Sequence, residues 1–379
     1  MILKFYEVSD EPGGEDIWLR RIAKLYSTTP TLIWSKKGII ELEAKSIFNK
    51  LLLGFSLRLD KFLPGIGRGV FLNLLFYFYK LEDNMPVFLS STYIPIPRGE
   101  CIVTYIHTPA RALTVDYPHT LSMFEKSSIK RLFLRIFRTF YKATYSASLY
   151  HPKVRITNSE NIKSRVLDFA HKSSIVMYPT QDVSNFYNNK AENYFLLVSR
   201  IQRYKGQDFC LRAFNIFQEK RKDYTLILAA TSPRSDDDKK FYNEILEYIK
   251  KNNLNVRIYL DLPREKIVEL YSKTYLCLFG SKEEDLGQIP IESMSASKPI
   301  ISVMGNGPSE TIINGETGFL VNTEKEMSEK MHFLVENPCL STEMGMKGRN
   351  RAYTIFNDPV FKEGLDKVLS TLDCATRNQ

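Results

Sequence analysis

In the C-terminal half of the chain, short unbroken apolar runs alternate with stretches in which apolar residues recur at intervals of three and four. Runs of the first kind predict strands covered on both faces, as in a parallel sheet, and stretches of the second kind predict the helices that cross between them. Tyr194 to Ser199 is one such run; after a basic loop, Cys210, Ala213, Phe214 and Phe217 mark one face of a helix. Thr225 to Ala229, Val256 to Leu260, Tyr275 to Phe279 and Ile300 to Val303 predict further strands. Between them Phe241, Ile245, Tyr248 and Ile249 predict a helix, as do Ile267, Leu270 and Tyr271, and then Ile289 to Ala296. Asn314-Gly315 marks a turn, and Gly318 to Val321 a last extended piece.

The N-terminal half is less regular. Ile2 to Val8 predicts a strand, Pro12, Gly13 and Gly14 a turn, and Trp18, Ile22, Leu25 and Tyr26 the stripe of a helix, the strand, turn and helix that open a Rossmann unit. Pro86 to Ser90 and Ile102 to Ile106 predict further strands, and the polar stretch Ser184 to Asn193 predicts a linker. The expected architecture is therefore α/β, with two Rossmann-like domains whose parallel sheets face each other across a cleft. The expected boundaries are residues 1–188, residues 189–355, and a tail over residues 356–379 that crosses back to the first domain.

A length of 379 residues suits two ordinary domains, and an apolar fraction of 44% suffices for their cores. The formal charge of +9 favours an anionic partner. Five scattered cysteines, with no C-x-x-C pair, argue against a disulfide framework or structural zinc and suit a reducing compartment. The start has no signal-peptide pattern, and the most apolar region, Leu51 to Leu81, is broken by Asp60, Lys61, Pro64 and Arg68 before it reaches the length of a membrane span. A cytoplasmic enzyme is expected, with the inner face of the membrane as an alternative station. That alternative rests on Ile129, Leu132, Phe133, Ile136, Phe137, Phe140 and Tyr141, an apolar stripe beside Arg131, Arg135, Arg138 and Lys142. A helix of this kind either rests on anionic lipid or packs on its own protein.

Two constellations carry candidate chemistry. Glu284 lies in the loop after a predicted strand and Glu292 on the following helix, with Gly287 and Pro290 between them. Two carboxylates there can accept hydrogen bonds from sugar and ribose hydroxyls, while amides near Gly287 face a phosphate from a helix N-terminus. Arg200 and Lys205, before Gly206, flank another helix start and can hold a diphosphate as its charge grows, which removes the need for a metal. The acidic run Asp236 to Asp238 reads as a solvated loop.

The strings LLVSRIQRYKGQDFCLRAF and EEDLGQIPIESMSASKPIISVMGNGPSETIINGETGFLV resemble the two C-domain hallmarks of the retaining family 4 glycosyltransferases of the GT-B fold. The resemblance implies hexose transfer from a nucleotide sugar, GDP-mannose or a UDP-hexose, to a glycan or lipid-linked acceptor, with no cofactor and no metal. By the same resemblance Arg200 and Lys205 bind the donor diphosphate, Glu284 the donor sugar and Glu292 the ribose; Gly287, Gln288 and Ile289 offer backbone amides. Leu286, Ser297 and Asn306 depart from the family's usual Phe, Gly and Gly. In the first half, Gly13-Gly14 resembles the family's glycine loop, and Ile106 to Arg111 a histidine segment, by which His107 would hydrogen-bond the donor sugar or the reacting region and Arg111 would bind substrate. Thr157-Asn158-Ser159 resembles a helix start, with Ser159 also a plausible N-cap. The rival readings are a nucleotide-sugar epimerase or phosphorylase on the same scaffold, and a non-enzymatic RNA- or membrane-binding scaffold. No nucleic-acid motif supports the last.

Overall fold

A computed structural model describes residues 4–7, 14–28, 31–32, 86–91, 96, 98, 101–108 and 128–372. The chain forms two compact units, Met1–Tyr178 with Phe361–Gln379, and Pro179–Val360. Each holds a six-stranded, all-parallel sheet among its described residues.

In the first unit the strands are β1 (Lys4–Glu7), β2 (Thr31–Leu32), β3 (Val87–Ser91), β4 (Ile102–Ile106), β5 (Val154–Thr157) and β6 (Ile175–Val176). They lie in the order β2-β1-β3-β4-β5-β6. Helix α1 (Gly14–Leu25) turns Trp18, Leu19, Ile22 and Ala23 onto Phe88, Val103 and Tyr105 of the sheet. The Trp18 and Tyr105 rings sit with centroids 4.4 Å apart. Helices α2 (Ser128–Ser148) and α3 (Glu160–Ala170) follow β4 and β5. Ser159 caps α3, its hydroxyl accepting from the Ile162 N–H at 3.2 Å.

In the second unit the strands are β7 (Tyr194–Arg200), β8 (Thr225–Thr231), β9 (Val256–Leu260), β10 (Leu276–Phe279), β11 (Ile300–Val303) and β12 (Phe319–Val321). Their connecting helices are α4 (Gln207–Gln218), α5 (Asp236–Lys251), α6 (Arg264–Lys273), α7 (Gln288–Ser295), α8 (Asn306–Thr311) and α9 (Glu324–Glu336). Phe195 and Leu197 of β7 enter one layer of core; Tyr194 and Leu196 enter the other. Side chains alternate along a strand, so covering both faces demands the continuous apolar run. Helix α10 (Pro338–Ile355) continues this unit, and α11 (Asp358–Ser370) carries Phe361, Leu365, Val368 and Leu369 into the core of the first.

Several expectations change. The polar stretch over residues 184–193 is not a free linker: Ser184 and Asn185 lie in a short 3-10 turn, and Phe186 is buried among Tyr271, Leu196 and Ile300 of the second unit. One aromatic anchor outweighs its polar neighbours. Asp236 to Asp238 form the first turn of α5, where the helix dipole favours acidic groups, with Ser235 and Asp238 closing a capping box. The apolar stripe on α2 is two faces: Leu134, Phe137, Tyr141 and Tyr145 are buried, whereas Ile129, Leu132 and Ile136 are exposed. Cys101 is disulfide-bonded, a pairing that spacing along the chain cannot reveal, while Cys210, Cys277 and Cys339 are free thiols. Gly13, Arg111 and the apolar region Leu51 to Leu81 lie outside the described residues.

Ser297, the departure noted after α7, has a left-handed backbone with φ of 57°. A side chain there meets the following carbonyl, at a cost of about 1–2 kcal/mol. Gly345 of α10 packs against it so closely that a Cβ on that glycine would lie 2.2 Å from the Ser297 carbonyl oxygen. Replacing Ser297 by Gly is expected to stabilise the unit by about 1 kcal/mol and raise its Tm by about 2–4 °C in thermal unfolding. An unchanged or lower Tm would show that the serine conformation carries no strain.

Candidate active site

The second sheet runs β12-β11-β10-β7-β8-β9, so successive strands depart in opposite directions from the β7–β10 boundary. In a doubly wound sheet the loops leaving the carboxyl ends of that pair open a crevice for ligands. Arg200 ends β7 and Lys205 ends a 3-10 turn over Arg203–Lys205. Gly206 then turns left-handed, with φ of 67°, and leads into α4. Gly280 follows β10. A Cβ on Gly206 would lie 2.2 Å from the Gly280 carbonyl oxygen, and the reverse holds equally, so these two loops meet backbone to backbone. The Ser281 hydroxyl donates across the same junction to the Tyr204 carbonyl at 3.2 Å.

That junction sets Lys205 against Glu284: the ammonium donates to Oε1 of the carboxylate. The Glu284 carbonyl accepts from the Gly307 N–H of α8 at 3.0 Å, which holds the loop from the other side. A Cβ on Gly307 would sit 2.7 Å from that same oxygen. The departure at Asn306 therefore spares the glycine that the contact requires. Arg200 is exposed, its guanidinium donating to the Tyr204 hydroxyl at 3.3 Å. Gln207, fully buried, donates to the Ser199 hydroxyl at 2.8 Å and to the Arg200 carbonyl, tying the strand end to the helix start.

Helix α7 begins beside Glu284, with Gly287 as its N-cap at φ of 89°. Gln288 and Ile289, in the first turn, have no carbonyl one turn earlier to receive their N–H groups, and Pro290 has no N–H. Those amides and the helix dipole give the loop a positive end suited to an anion. Glu292, one turn on, is buried; its Oε1 accepts from Arg264 at 2.7 Å, and the buried Tyr271 hydroxyl faces the same carboxylate. Burial works against the Arg264 charge, yet the Glu292 carboxylate outweighs it and holds the guanidinium above its ordinary range. Arg264 and Gln207 escaped the sequence reading. The signal for Arg264 was its place just after β9, at the ligand end of the sheet.

In the first unit, His107 follows β4 and is buried against Trp18 and Tyr105, with ring centroids 5.1 and 4.9 Å away. Its Nε2 shares a hydrogen bond with the Ser90 hydroxyl at 2.9 Å. Burial pushes its pKa down to about 3, so the ring is neutral at pH 7. Gly14 is the first residue of α1. Among the described residues no group of three His, Cys, Asp or Glu side chains could hold a metal ion.

Two parallel, doubly wound sheets, one in each unit, are the parts of a GT-B protein, and a solved structure agrees on the fold. Anabaena HepE in complex with UDP matches with a TM-score of 0.68 over 98% of this chain and 100% of its own, at 14% identity. Residues 180–351 match the family model Glycosyl transferases group 1. The alpha-1,3/1,6-mannosyltransferase ALG2 of Dictyostelium discoideum is 25% identical over 72% of this chain and 70% of its own. The human mannosyltransferase of that name is 26% identical over 55% of each, so the aligned part is about half its length. The chain therefore has the GT-B fold, and over residues 180–351 it is similar to the group 1 glycosyltransferases.

Because His107 binds its proton far less readily when folded than when unfolded, stability is complete above about pH 6.5 and declines as pH falls from there toward 3. In urea titrations across that window, a His107→Gln variant is expected to lose less stability than the wild type. Parallel losses would show that the buried imidazole does not drive the decline.

Proposed function

We propose that the chain is a retaining, metal-independent transferase that moves a hexose from a nucleotide diphosphate carrier to a hydroxyl of a glycan or lipid-linked acceptor. The observation that carries this reading is that Lys205 pairs with Glu284 in the loop after β10, which leads into the amide end of α7, while Arg200 stands at the carboxyl end of the neighbouring strand β7. Those groups offer to a diphosphate the charge that a divalent ion would otherwise supply. Arg200 and Lys205 hold the phosphates, with the Gly287, Gln288 and Ile289 backbones beside them. Lys205 exchanges its carboxylate for phosphate as the donor arrives, which frees Glu284 for the sugar hydroxyls. Glu292 takes the ribose.

The mannosyltransferase relatives favour mannose, hence GDP-mannose, as donor; the UDP of HepE supports a UDP-hexose as the alternative. In the step itself, the bond from the anomeric carbon to the β-phosphate oxygen breaks while the acceptor oxygen bonds to that carbon on the same face. The acceptor proton passes to the departing phosphate. Neutral His107 serves the acceptor and sugar side, a role proposed also for Gly13, Gly14 and Arg111; a neutral imidazole accepts or donates a hydrogen bond without carrying charge.

The enzyme works in the cytoplasm against the anionic face of a membrane. Support comes from α2, which carries Lys130, Arg131, Arg135, Arg138 and Lys142 and no acidic residue. Ile129, Leu132 and Ile136 stand 73%, 59% and 59% exposed beside that basic row. Apolar side chains flanked by cations match the boundary between acyl chains and anionic headgroups. No helix among the described residues is long and apolar enough to cross a membrane.

Two measurements bear on these readings. Purified protein treated exhaustively with chelator is expected to retain transfer from GDP-mannose or a UDP-hexose, while Lys205→Met loses about 10²–10³ in kcat. Activity that vanishes on chelation and returns with manganese would overturn metal independence. In flotation with phosphatidylserine vesicles, the triple change of Ile129, Leu132 and Ile136 to Ser is expected to abolish recovery in the lipid fraction. Recovery equal to wild type would dismiss α2 as the contact, and a loss of self-association instead would assign the face to a second copy.

A further inference from the structure

The second unit has a groove that the donor site does not use. It lies toward the amino ends of β7 and β8, between the sheet and α6, with a volume of about 420 Å³. The strand register explains the recess: Ile227 and Ala229 of β8 stand beside Arg257 and Tyr259 of β9, so all four share the face over which α6 packs. Helix α6 is tied to the start of β7, where the Tyr194 hydroxyl donates to the Leu270 carbonyl at 2.6 Å. The outermost strand, β9, is left with Arg257 exposed and Tyr259 38% exposed on that face.

The lining combines hydrogen-bonding side chains with an exposed aromatic ring. On the helix wall Glu269 accepts from Lys273 and Lys266, each at 2.9 Å, and these two ammoniums hold its carboxyl down at about 2. One carboxylate between two cations leaves that wall positive. On the sheet side the Arg257 guanidinium makes no ion pair, hydrogen bond or ring contact among the described residues, although Glu192 and Glu269 line the same groove. Arg257, Lys266 and Lys273 against those two carboxylates give the groove a net positive charge. A cation on an edge strand also discourages pairing with another chain, but that role needs neither the tyrosine nor the recess.

We propose that this groove binds an anionic sugar residue of a glycan chain, with the charged group taken by Arg257 and the ring face laid on Tyr259. Residues two apart on one strand stand about 6.6 Å from each other, close to the span of a pyranose ring with the carboxylate or phosphate that it bears. The guanidinium fork matches either anion with paired hydrogen bonds, the apolar face of a pyranose packs on an aromatic ring, and Glu192 and Asn193 offer partners for hydroxyls. Because β9 is the edge of the sheet, the groove is open along one side, which suits a chain passing through and not a nucleotide, whose base needs enclosure. Binding there does not depend on the donor-site reading. Its use does: a chain held by the enzyme presents its end to the transfer site at raised local concentration.

Calorimetry on the full chain compares a hyaluronan tetrasaccharide, in which glucuronate alternates with a neutral sugar, with uncharged maltotetraose. Wild type is expected to bind the acidic chain about 10–100-fold more tightly, the range for a hydrogen bond to a charged group. Arg257→Gln is expected to bring that ratio close to one, Tyr259→Ala to weaken binding of both chains, and Lys205→Met to change neither. A ratio that survives Arg257→Gln would assign the preference to the overall charge of the protein, and a loss seen only in Lys205→Met would place the acid in the donor site; either result overturns the proposal. Hydrogen exchange on the wild type covers a variant that fails to fold: the acidic chain is expected to protect residues 254–262 and 264–273, and protection confined to other segments refutes the groove. Hexose transfer that persists while neither saccharide binds would refute the groove alone. Saccharide binding without turnover of any nucleotide sugar would leave the groove standing and remove the donor-site reading.

Discussion

Everything chemical in the second unit depends on one close approach, that of the Gly206 and Gly280 backbones. Strands β7 and β10 are hydrogen-bonded neighbours, so the loops that leave them compete for the same space. Any side chain at either position would wedge those loops apart, and Lys205 and Glu284 would separate with them. The contact is steric and unforgiving, whereas the ion pair that it permits is adjustable. Rigid backbone beneath exchangeable side chains is the arrangement a site needs if it must bind a charged ligand, let it react and release the product.

Charge in the candidate site is balanced internally. Lys205 is neutralised by Glu284 and Arg264 by Glu292, so neither carboxylate is stranded as a buried anion. The two pairs differ in what they can exchange. Lys205 and Glu284 are both partly open to solvent, and a diphosphate can take the ammonium at modest cost. Glu292 is enclosed, and losing Arg264 would leave a buried charge uncompensated, which costs about 3–5 kcal/mol in comparable cases. One pair therefore behaves as a switch and the other as a fixture.

How much of this could be read in advance follows from which residues act through local pattern and which through contact. The strands β7 to β12 were legible because their two covered faces demand continuous apolar runs, and Arg200, Lys205, Glu284 and Glu292 because loop position and motif coincide. Phe186 was hidden inside a polar, Asn-rich stretch whose composition says linker; its burial is a tertiary fact. Arg264 looked like any basic residue at a helix start until Glu292 appeared opposite it. The face of α2 was misjudged for a related reason: seven apolar residues were counted as one stripe, although Phe137 and Tyr141 turn inward while Ile129, Leu132 and Ile136 turn out. The helices after Val321 carried no motif and were not assigned from pattern at all.

The closing helix has a consequence for how the molecule is made. Phe361, Leu365, Val368 and Leu369 fill the core around Trp18 and Tyr105, yet they leave the ribosome after every residue of the other unit has been synthesised. The N-terminal sheet must wait, with an open apolar seam, while roughly half the polypeptide is still to be translated. At elongation rates of about 5–20 residues per second the delay lasts on the order of ten seconds or longer. During that interval the first-born half depends on chaperones or on its own nascent surroundings, and the last-born helix is what ends its exposure.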